Sequence, residues 1–331
     1  MNNLHSVPWA CWPRTHPLRA VAVAGLVAAA LTVPAGGAAA AAGTCRITVL
    51  PNPAAAWESR ATDIDPSGRY IIGTALVSGP GRSDVSLLWV DGRLTEFPTP
   101  YGWVGLADVN AAGTVVGYAE NGSGAFAFRY QRGRFVTLPG LQPGAMTVAR
   151  AVNRRGDVVG FSWEPNGPTR TVVWPAHQPG SPRELVAPFD VYTVDIDDDG
   201  TVLATGSFES VRWLPDGTVR PLTGPDGSPA VGVAIRRGWV AGVAGSGAAA
   251  WRTRGGPVNL APPEYTLPTS VNRHGDLGFG GAIDRRHGGV VLVPGGGGGF
   301  PPTVTALSDR RTAVGFANVP SGTRAVIWTG C

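Results

Sequence analysis

A motif that recurs seven times between Ala61 and Cys331 constrains the fold of this 331-residue chain more than any other feature. The pattern reads small–x–acidic–aliphatic–Asn/Asp–x–x–Gly, then an aliphatic pair and Gly, then a short apolar run that ends in an aromatic residue. Asn, Asp and Ser side chains bond to the backbone ahead of them and start tight turns, and the Gly supplies the positive φ that such a turn needs. The turns begin 36–45 residues apart, at Asp65, Asn110, Asn153, Asp197, Arg236, Asn272 and Ser308.

Each copy of the motif encodes short strands. A run such as Val158-Val159-Gly160 follows each turn, and most copies add a Gly turn and a fourth strand after the third. Four short strands in each unit of ~40 residues are typical of a propeller blade. We therefore predict an all-β, seven-bladed β-propeller of four-stranded repeats. The third strands close on Trp89, Tyr130, Trp174, Trp213, Trp251, Leu292 and Trp328. We expect the five Trp residues of this series to pack in the core or between blades.

The two ends of the repeat region complement each other. The last copy stops at Cys331, before its fourth strand, and the segment Cys45–Pro51 carries the apolar run that this strand needs. We predict that the N-terminal strand closes the ring and that Cys45 and Cys331 form a disulfide, since Cys11 lies in a segment expected to be removed. Two unpaired thiols, or a bridge between chains, is the alternative.

The first 42 residues resemble an export signal. Arg14 and Arg19 precede an apolar run over residues 20–33 and an alanine tract suited to cleavage near Ala42. The sequence thus predicts a signal peptide over residues 1–42, a single β-propeller domain over residues 43–331, secretion, and no transmembrane segment after cleavage. Every basic residue is Arg, and the arginines are spread over all units, so nucleic-acid binding is not expected. We expect a monomer.

The segment Ala107–Leu138 carries the clearest copy of the motif, with Ala125-Phe126-Ala127-Phe128-Arg129-Tyr130 as its third strand. This copy resembles the HAF repeats of bacterial extracellular proteins, and the resemblance extends over essentially the whole chain after the signal. It implies a secreted, β-propeller-like protein. It implies no reaction, because the family brings no agreed catalytic residues.

The loops that enter the first strand of each unit supply the candidate binding residues. They should lie on one face around the central channel, and they combine aromatic side chains with carboxylates. Aromatic rings beside carboxylates can stack on and orient a sugar or another flat ligand. Packing between blades is the alternative reason for aromatic residues there. The candidates are Trp57, Glu58, Trp103, Asp190, Tyr192, Glu264 and Tyr265.

One turn resembles half of a calcium site. Asp195, Asp197 and Asp199 precede Gly200, and carboxylates at alternate positions followed by Gly match the first half of a calcium loop. The downstream ligands are missing, because Leu203 and Gly206 occupy their positions. Calcium is the only cofactor that the sequence suggests. The alternative is that Asp195 and Asp197 are this unit's copies of the repeated acidic and turn residues.

The sequence favours a secreted, non-enzymatic propeller that binds a polysaccharide or an extracellular protein at the channel-mouth loops. A second hypothesis is an extracellular lyase or glycoside hydrolase that uses Glu58, Asp190 or Glu264 as acid or base. That chemistry needs two carboxyl groups about 5–9 Å apart. A third hypothesis is a structural envelope protein without a small ligand.

Overall fold

The computed structural model describes residues 45–78, 84–98, 103–122, 124–245, 247–253, 255–260, 267–297 and 300–331. These residues belong to one compact unit, and their regular structure consists of strands with no helix among them. The predicted all-β class is therefore confirmed. The predicted signal peptide over residues 1–42, and the candidates Glu264 and Tyr265, lie outside the described residues.

Seven four-stranded antiparallel sheets form the blades of the propeller, as predicted. In each blade the first strand is innermost. In chain order the strands are β1 (Arg46–Val49), β2 (Ala56–Ile64), β3 (Tyr70–Val77), β4 (Asp84–Val90), β5 (Arg93–Glu96), β6 (Trp103–Val109), β7 (Val115–Asn121), β8 (Gly124–Gln131), β9 (Arg134–Leu138), β10 (Met146–Val152), β11 (Val158–Trp163), β12 (Arg170–Trp174), β13 (Arg183–Leu185), β14 (Thr193–Ile196), β15 (Val202–Thr205), β16 (Ser210–Trp213), β17 (Val219–Pro221), β18 (Ala230–Arg236), β19 (Trp239–Ala244), β20 (Gly247–Arg252), β21 (Pro257–Leu260), β22 (Ser270–Val271), β23 (Leu277–Gly278), β24 (Ala282–Arg285), β25 (Gly289–Leu292), β26 (Thr303–Leu307), β27 (Ala313–Val319) and β28 (Gly322–Thr329). Blades 1 to 6 take β2–β25 in order, four strands each, and blade 7 has the order β1-β28-β27-β26.

The N-terminal strand closes the ring. β1 pairs antiparallel with β28, with Arg46 opposite Thr329 and Val49 opposite Val326. A disulfide joins Cys45 to Cys331, whose Cα atoms are 4.4 Å apart across a sequence separation of 286 residues. Both sequence predictions for the closing blade are confirmed. Because the bond spans nearly the whole repeat region, it restricts the unfolded chain and stabilises the ring.

The aliphatic pair of the motif serves two blade junctions at once. Successive residues of a strand point to opposite sides of their sheet. Ile71 packs in the core between blades 7 and 1, whereas its neighbour Ile72 packs in the core between blades 1 and 2. Val158 and Val159 divide in the same way between the junctions on either side of blade 3. The described core is therefore a series of junction clusters, which explains why one repeat cannot fold alone.

The glycine after the aliphatic pair allows a β-bulge in the first strand. In blade 3 the pairing of β10 with β11 shifts between Ala149 and Ala151, and a Cβ on Gly160 would collide with the carbonyl oxygen of Val148. The same collision would occur in the other blades whose first strand is bulged. In blade 4 the pairing of β14 with β15 is regular, and Ala204 occupies the glycine position.

The predicted Trp series lies at blade junctions and donates hydrogen bonds there. Trp174 is fully buried, and its Nε1 donates to the carbonyl of Pro139, which follows the outer strand of blade 2, at 2.8 Å. Each of the other four makes the equivalent bond to the preceding blade: Trp89 to Pro51, Trp213 to Val186, Trp251 to Thr223 and Trp328 to Pro294. The predicted packing role of these residues is confirmed.

Two junctions are closed differently. In blade 2, Tyr130 takes the Trp position and its ring centre lies 4.9 Å from that of Phe97 of blade 1. In blade 6 the prediction that Leu292 ends the third strand is wrong. Leu292 lies in the outer strand β25 and is exposed, while buried Asp284 pairs with Leu277 at the position that Trp holds elsewhere. The strands of blade 6 are shorter than the spacing suggested, because a tight turn at Gly280-Gly281 joins β23 to β24.

Candidate functional site

Blade connectivity gives the ring two different faces. The entry face carries the connectors between blades and the loops between second and third strands, such as residues 139–145, 164–169 and 186–192. The turn face carries the turns between first and second strands, such as residues 153–157 and 197–201, and those between third and fourth strands. The candidate binding residues that are described lie on the entry face, and the three candidate calcium ligands lie on the turn face.

Trp57 and Glu58 lie at the start of β2 in a rigid setting. Trp57 occupies a bulge in the pairing of β2 with β3, and 54% of its surface is exposed. Its carbonyl accepts a hydrogen bond from Arg324 Nη1 at 2.5 Å. The Glu58 carboxylate pairs with Arg60 Nε at 2.6 Å, and the Arg60 guanidinium lies 4.5 Å from the ring centre of Phe316. Neighbouring side chains therefore hold the backbone while the indole of Trp57 faces solvent.

Trp103 is held between blades 1 and 2. Its Nε1 donates to Asp84 Oδ2 of blade 1 at 2.8 Å, and its ring meets that of Tyr118 edge-on with the ring centres 5.0 Å apart. A Cβ on Gly105 would lie 2.7 Å from the Trp103 ring, so this glycine makes the space that the indole occupies. The ring is partly buried. Part of its surface thus packs between blades, which was the alternative interpretation for this residue.

Asp190 and Tyr192 lie in the connector that enters blade 4. Both side chains are exposed, Tyr192 by 58% of its surface. The backbone N–H of Tyr192 donates to the carbonyl of Thr205 at 2.8 Å, which fixes the end of the connector. Phe189 beside them packs against the core between blades 3 and 4. The connector is thus anchored by Phe189 and presents the next polar and aromatic side chains to solvent.

The exposed aromatic side chains concentrate on the entry face. Besides Trp57 and Tyr192, Phe208 in the β15–β16 loop is 84% exposed and Phe300 in the connector to blade 7 is 78% exposed. All the exposed aromatic residues in the described part of the chain belong to entry-face segments. The sequence prediction missed Phe208, because it considered only the loops just before first strands and Phe208 lies between a second and a third strand. It also missed Phe300, although Phe300 lies eight residues before Ser308, at the same distance that gave Trp57.

The Asp195, Asp197 and Asp199 carboxylates accept backbone hydrogen bonds. Asp195 Oδ2 accepts from Ile235 N–H at 2.8 Å and Asp197 Oδ2 accepts from Gly238 N–H at 2.6 Å, both in blade 5. Asp199 Oδ1 accepts from Thr201 N–H at 2.8 Å. Within the described residues, no three His, Cys, Asp or Glu side chains converge as metal ligands would. A calcium site at these residues stays a prediction, which a calorimetric titration with calcium chloride tests.

The turn residues connect each blade to the next. Asn153 is buried, and its Oδ1 accepts from the N–H groups of Arg155 and Asp157, which closes its own turn. Its Nδ2 donates to the carbonyl of Asp197 in blade 4 at 3.3 Å. Asn110 Nδ2 makes the same bond to the carbonyl of Asn153 at 2.8 Å. The repeated Asn therefore starts the predicted turn and also ties neighbouring blades together on the turn face.

A charged cluster fills the channel next to these turns. Arg236 of blade 5 reaches across the ring and donates through Nη1 to the carbonyl of Ile64 in blade 1 at 3.4 Å. Burial lowers the pKa of Arg236, but the charges of Asp63, Asp108 and Asp195 outweigh this effect and raise the pKa overall. The remaining cavity has about 30 Å³ for water centres, which is room for one or two water molecules. The channel at this level is too small for a sugar.

Burial controls the protonation of the channel carboxyls. Burial first, and then the charge of Asp108, raise the pKa of Asp195 to about 7. The same two causes, with a hydrogen bond between the two carboxyl groups, raise the pKa of Asp63 well above its usual range. Burial also raises the pKa of Asp197. The cluster thus combines a guanidinium with carboxyl groups that hold protons at pH values where exposed carboxyls have lost them.

A cavity on the entry face of blade 3 is larger. It offers about 180 Å³ to water centres and opens to solvent. Its lining includes Gln142, Trp163, Glu164, Arg170 and Glu184, none of which the sequence prediction singled out. Neither Glu58 nor Asp190 lines it. The sequence signal was weak, because these residues are separated along the chain and none occupies a repeated motif position.

Solved structures resemble this chain in fold. The extracellular domain of a hybrid two component system from B. thetaiotaomicron matches with a TM-score of 0.54 and 10% identity, over 86% of this chain and 40% of that chain. The β-propeller domain of the Trilobed protease from Pyrococcus furiosus, reported with an open velcro topology, matches with a TM-score of 0.53 and 8% identity, over 83% of this chain and 96% of that chain. At such low identity the likeness concerns the propeller fold alone.

No protein-family model matches the sequence, and the comparison with curated proteins finds no match. The chain spans 40% of the length of the first of these structures. Among the described residues there is no helix that is long and apolar enough to cross a membrane. The Cys45–Cys331 disulfide is consistent with secretion, because such bonds persist in oxidising compartments.

Proposed function

We propose that this protein is an exported β-propeller that binds an extracellular polysaccharide through its entry face. The observation that carries the proposal is the position of the exposed aromatic side chains, which the described part of the chain places on that face alone. Aromatic rings supply flat apolar surface at a small cost in conformational entropy, and loops on a rigid scaffold are common carriers of binding residues.

The surroundings of Trp57 support a binding role over a packing role. More than half of its surface is exposed, although Arg324 and the Glu58–Arg60 pair fix the backbone and the neighbours. A backbone that is already held in place loses little freedom when a ligand binds to its side chain. The adjacent carboxylate and guanidinium can accept from and donate to sugar hydroxyl groups.

The placement of the carboxylates supports binding over hydrolysis. Glu58 belongs to blade 1 and Asp190 to blade 4, with two blades between them along the ring. Glu58 is also paired with Arg60. A glycosidase would need two carboxyl groups facing each other across one sugar bond. We therefore assign Glu58 and Asp190 to ligand contact and not to acid–base chemistry.

We further propose that residues 1–42 are a signal peptide and that the mature protein is a secreted, HAF-repeat-type propeller. The disulfide at the ring closure supports this proposal, because such bonds persist in oxidising compartments. N-terminal sequencing of protein recovered from culture medium should begin near residue 43. Recovery of the full chain from the cytoplasm with reduced cysteines would contradict export.

The experiment is a binding screen with the mature protein. Affinity electrophoresis and pull-down should be run with cellulose, xylan, mannan, chitin and peptidoglycan, on wild type and on Trp57→Ala and Tyr192→Ala. We expect retention by at least one polysaccharide and a loss of about tenfold or more in each variant. Val219→Ala is the matched control, because Val219 is an exposed apolar residue at the turn-face end of β17. Binding that is equal in all four proteins contradicts the proposed face, and no binding at all favours a protein partner or a structural role.

A further inference from the structure

The charged residues of the chain are divided unevenly around the ring. Residues 45–229, which form blades 1 to 4 and the closing strand, contain 15 arginines and 19 acidic residues. Residues 230–331, which form blades 5 to 7, contain ten arginines and four acidic residues. Such a charge difference between two parts of one chain is typical of a protein with a charged partner. The excess of positive charge in blades 5 to 7 points to an anionic one.

The acidic residues of blades 5 to 7 that the structure describes are buried. Asp276, Asp284 and Asp309 expose 5%, 7% and 7% of their surface. Asp276 Oδ2 accepts from Asn272 Nδ2 at 3.0 Å, and Asp309 Oδ2 lies 3.1 Å from Arg237 Nε of blade 5. These carboxylates hold the turns in place, and the solvent-facing charges of this part of the ring come from arginines.

Three of these arginines gather around Trp239 on the turn face. Trp239 is buried in the junction between blades 5 and 6, and its Nε1 donates to the carbonyl of Arg273 at 3.1 Å. The guanidinium of Arg252, at the end of β20, lies 3.9 Å from the centre of the Trp239 ring, and that of Arg286, just after β24, lies 4.5 Å from it. Cation–π contact with one indole therefore holds two guanidiniums near each other.

None of these three arginines forms an ion pair with a carboxylate among the described residues. Arginines on the turn face of blades 1 and 3 do form such pairs. Arg69 Nε lies 3.1 Å from Asp91 Oδ2, and Arg155 Nη2 lies 2.9 Å from Asp157 Oδ2. Guanidiniums held together without a carboxylate repel each other, and an anion bound between them removes that repulsion.

The positive charge continues from blade 6 to blade 7. The backbone N–H of Arg273 donates to Asp309 Oδ1 at 2.9 Å, so the first turns of the two blades are adjacent. Arg310 and Arg311 follow Asp309, and both are exposed. We call Arg252, Arg273, Arg286, Arg310 and Arg311 the basic surface. Because it spans two blade junctions, it can contact successive charged groups of one linear polymer.

The side chains around the basic surface narrow the class of partner. Among the described residues, the turn face of blades 5 to 7 exposes no large apolar or aromatic side chain. A stable protein interface has an apolar centre, and single-stranded nucleic acid is bound through exposed aromatic rings. A hydrophilic polymer needs neither, and the planar guanidinium forms paired hydrogen bonds with carboxylates. These observations favour an acidic polysaccharide over an acidic protein or a nucleic acid.

We propose that the basic surface binds a linear polysaccharide that carries carboxylate groups. Arg252, Arg273 and Arg286 contact one stretch of the polymer, and Arg310 and Arg311 contact the next. The inference goes beyond the proposed function, because it assigns a partner to the opposite face of the ring. A polymer bound there leaves the exposed aromatic side chains of the entry face accessible.

Biolayer interferometry of the mature protein on immobilised polygalacturonate and alginate tests the proposal. Methyl-esterified polygalacturonate is the matched neutral polymer, since it keeps the backbone and lacks the charges. We expect binding to at least one acidic polymer that is about tenfold tighter than to the esterified one. This binding should weaken by about tenfold or more as NaCl rises from about 50 mM to about 500 mM, because salt screens exposed charges.

Two double variants test the residues. Arg252→Gln with Arg286→Gln should weaken binding to the acidic polymer by about tenfold. Arg310→Gln with Arg311→Gln should weaken it by about threefold or more. The second pair lies in an exposed turn, so that variant should keep the wild-type melting temperature even if the first variant does not.

The matched control is Arg69→Gln with Arg154→Gln. It removes the same number of positive charges from the turn face of blades 1 and 3, where Asp91 and Asp198 pair with these arginines. We expect binding within about twofold of wild type, because charges beyond the screening length contribute little. Trp57→Ala should also leave this binding unchanged, which separates the inference from the proposed function.

The following results would overturn the inference. Losses in the control or in Trp57→Ala as large as those in the two double variants would place the polymer elsewhere. Equally tight binding of the esterified polymer would remove the electrostatic basis. Tighter binding of single-stranded DNA or of polyaspartate than of either acidic polysaccharide would overturn the class of partner. An absence of binding to both acidic polysaccharides would overturn the proposal and leave the proposed function of the entry face in place.

Discussion

The two faces of the propeller use their side chains for opposite purposes. On the turn face, the polar side-chain atoms of Asn153, Asp195 and Asp197 form hydrogen bonds with backbone groups of their own turn or of the next blade. On the entry face, Trp57 and Tyr192 expose more than half of their surface although their backbone is hydrogen-bonded. The difference teaches that the repeated motif serves assembly of the ring, and that residues outside the motif are free to serve a ligand.

The cavities of the propeller follow the same division between the faces. At the turn-face end, Arg236 and the surrounding aspartates fill it and leave room for one or two water molecules. The larger cavity opens on the entry face of blade 3. Substitutions should therefore separate into two classes, those that change stability and those that change binding.

The largest expected loss of stability comes from the motif glycine. Gly160→Ala places a Cβ against the carbonyl of Val148, and relief requires the β10 bulge to move. We expect the free energy of unfolding to fall by about 3 kcal/mol, at the upper end of the range for overpacking. Ala204→Gly in the regular blade 4 is the matched control and should cost about 0.5–1 kcal/mol through backbone entropy. Urea denaturation measures both, and equal losses would contradict the role assigned to the bulge.

The next effect concerns the links between blades on the turn face. Asn153→Ala leaves the part-buried N–H groups of Arg155 and Asp157 and the carbonyl of Asp197 without their side-chain partner. We expect a loss of about 2 kcal/mol by urea denaturation. Asn153→Ser keeps a side-chain acceptor for these N–H groups, as Ser308 does in blade 7, and removes the Nδ2 donor to Asp197 and to Asp157 Oδ2, so it should cost less. A loss in Asn153→Ser as large as in Asn153→Ala would mean that the bonds within the turn matter little.

A smaller, pH-dependent effect is expected at Asp195. Its pKa is about 7 in the folded protein and about 3.9 in an unfolded chain, so the native state binds the extra proton between these values. Protonation thus stabilises the fold at low pH, and this contribution is lost as the pH rises from about 4 to about 7. Relative to Asp195→Asn, which cannot titrate, wild type should lose about 1.4 kcal/mol between pH 6 and pH 8. Thermal melts of both proteins across that range measure the difference, and parallel curves would contradict a raised pKa.

The smallest effect on stability is expected on the entry face. Tyr192→Ala removes an exposed side chain and leaves the hydrogen bond from its backbone N–H to Thr205 in place. We expect a change within about 0.5 kcal/mol, as for ordinary surface substitutions. A melting temperature several degrees below wild type would show that Tyr192 supports the ring and would weaken the contrast between the two faces.

The sequence predicted the fold well because the repeat encodes local chemistry. Each part of the motif predicts the structure of one short hairpin. These parts are the turn residue, such as Asn153, the Gly at the end of the turn and the aliphatic pair. The closing strand was readable because Cys45 and Cys331 flank complementary fragments of one blade. Blade 6 was misread at Leu292, because its third strand ends early and carries Asp284 where the other blades carry an aromatic residue.

The candidate site was less predictable, because it depends on residues brought together by the ring. Arg236 takes a turn position where other copies have Asn, Asp or Ser, and that exception was the available signal for the filled channel. Trp163 and Glu184 gave no such signal, because they are distant in sequence and belong to no motif position. The spacing also did not separate Trp103, which packs between blades, from Trp57, which faces solvent.

Hydrogen–deuterium exchange of the mature protein, with and without the tightest polysaccharide from the screen, tests the division between the faces most directly. Our account predicts slower exchange on binding in the entry-face segments around residues 54–60, 139–145, 164–169 and 186–192. It predicts unchanged exchange in the turn-face segments around residues 110–114, 153–157 and 197–201. Protection confined to the turn-face segments would contradict the account.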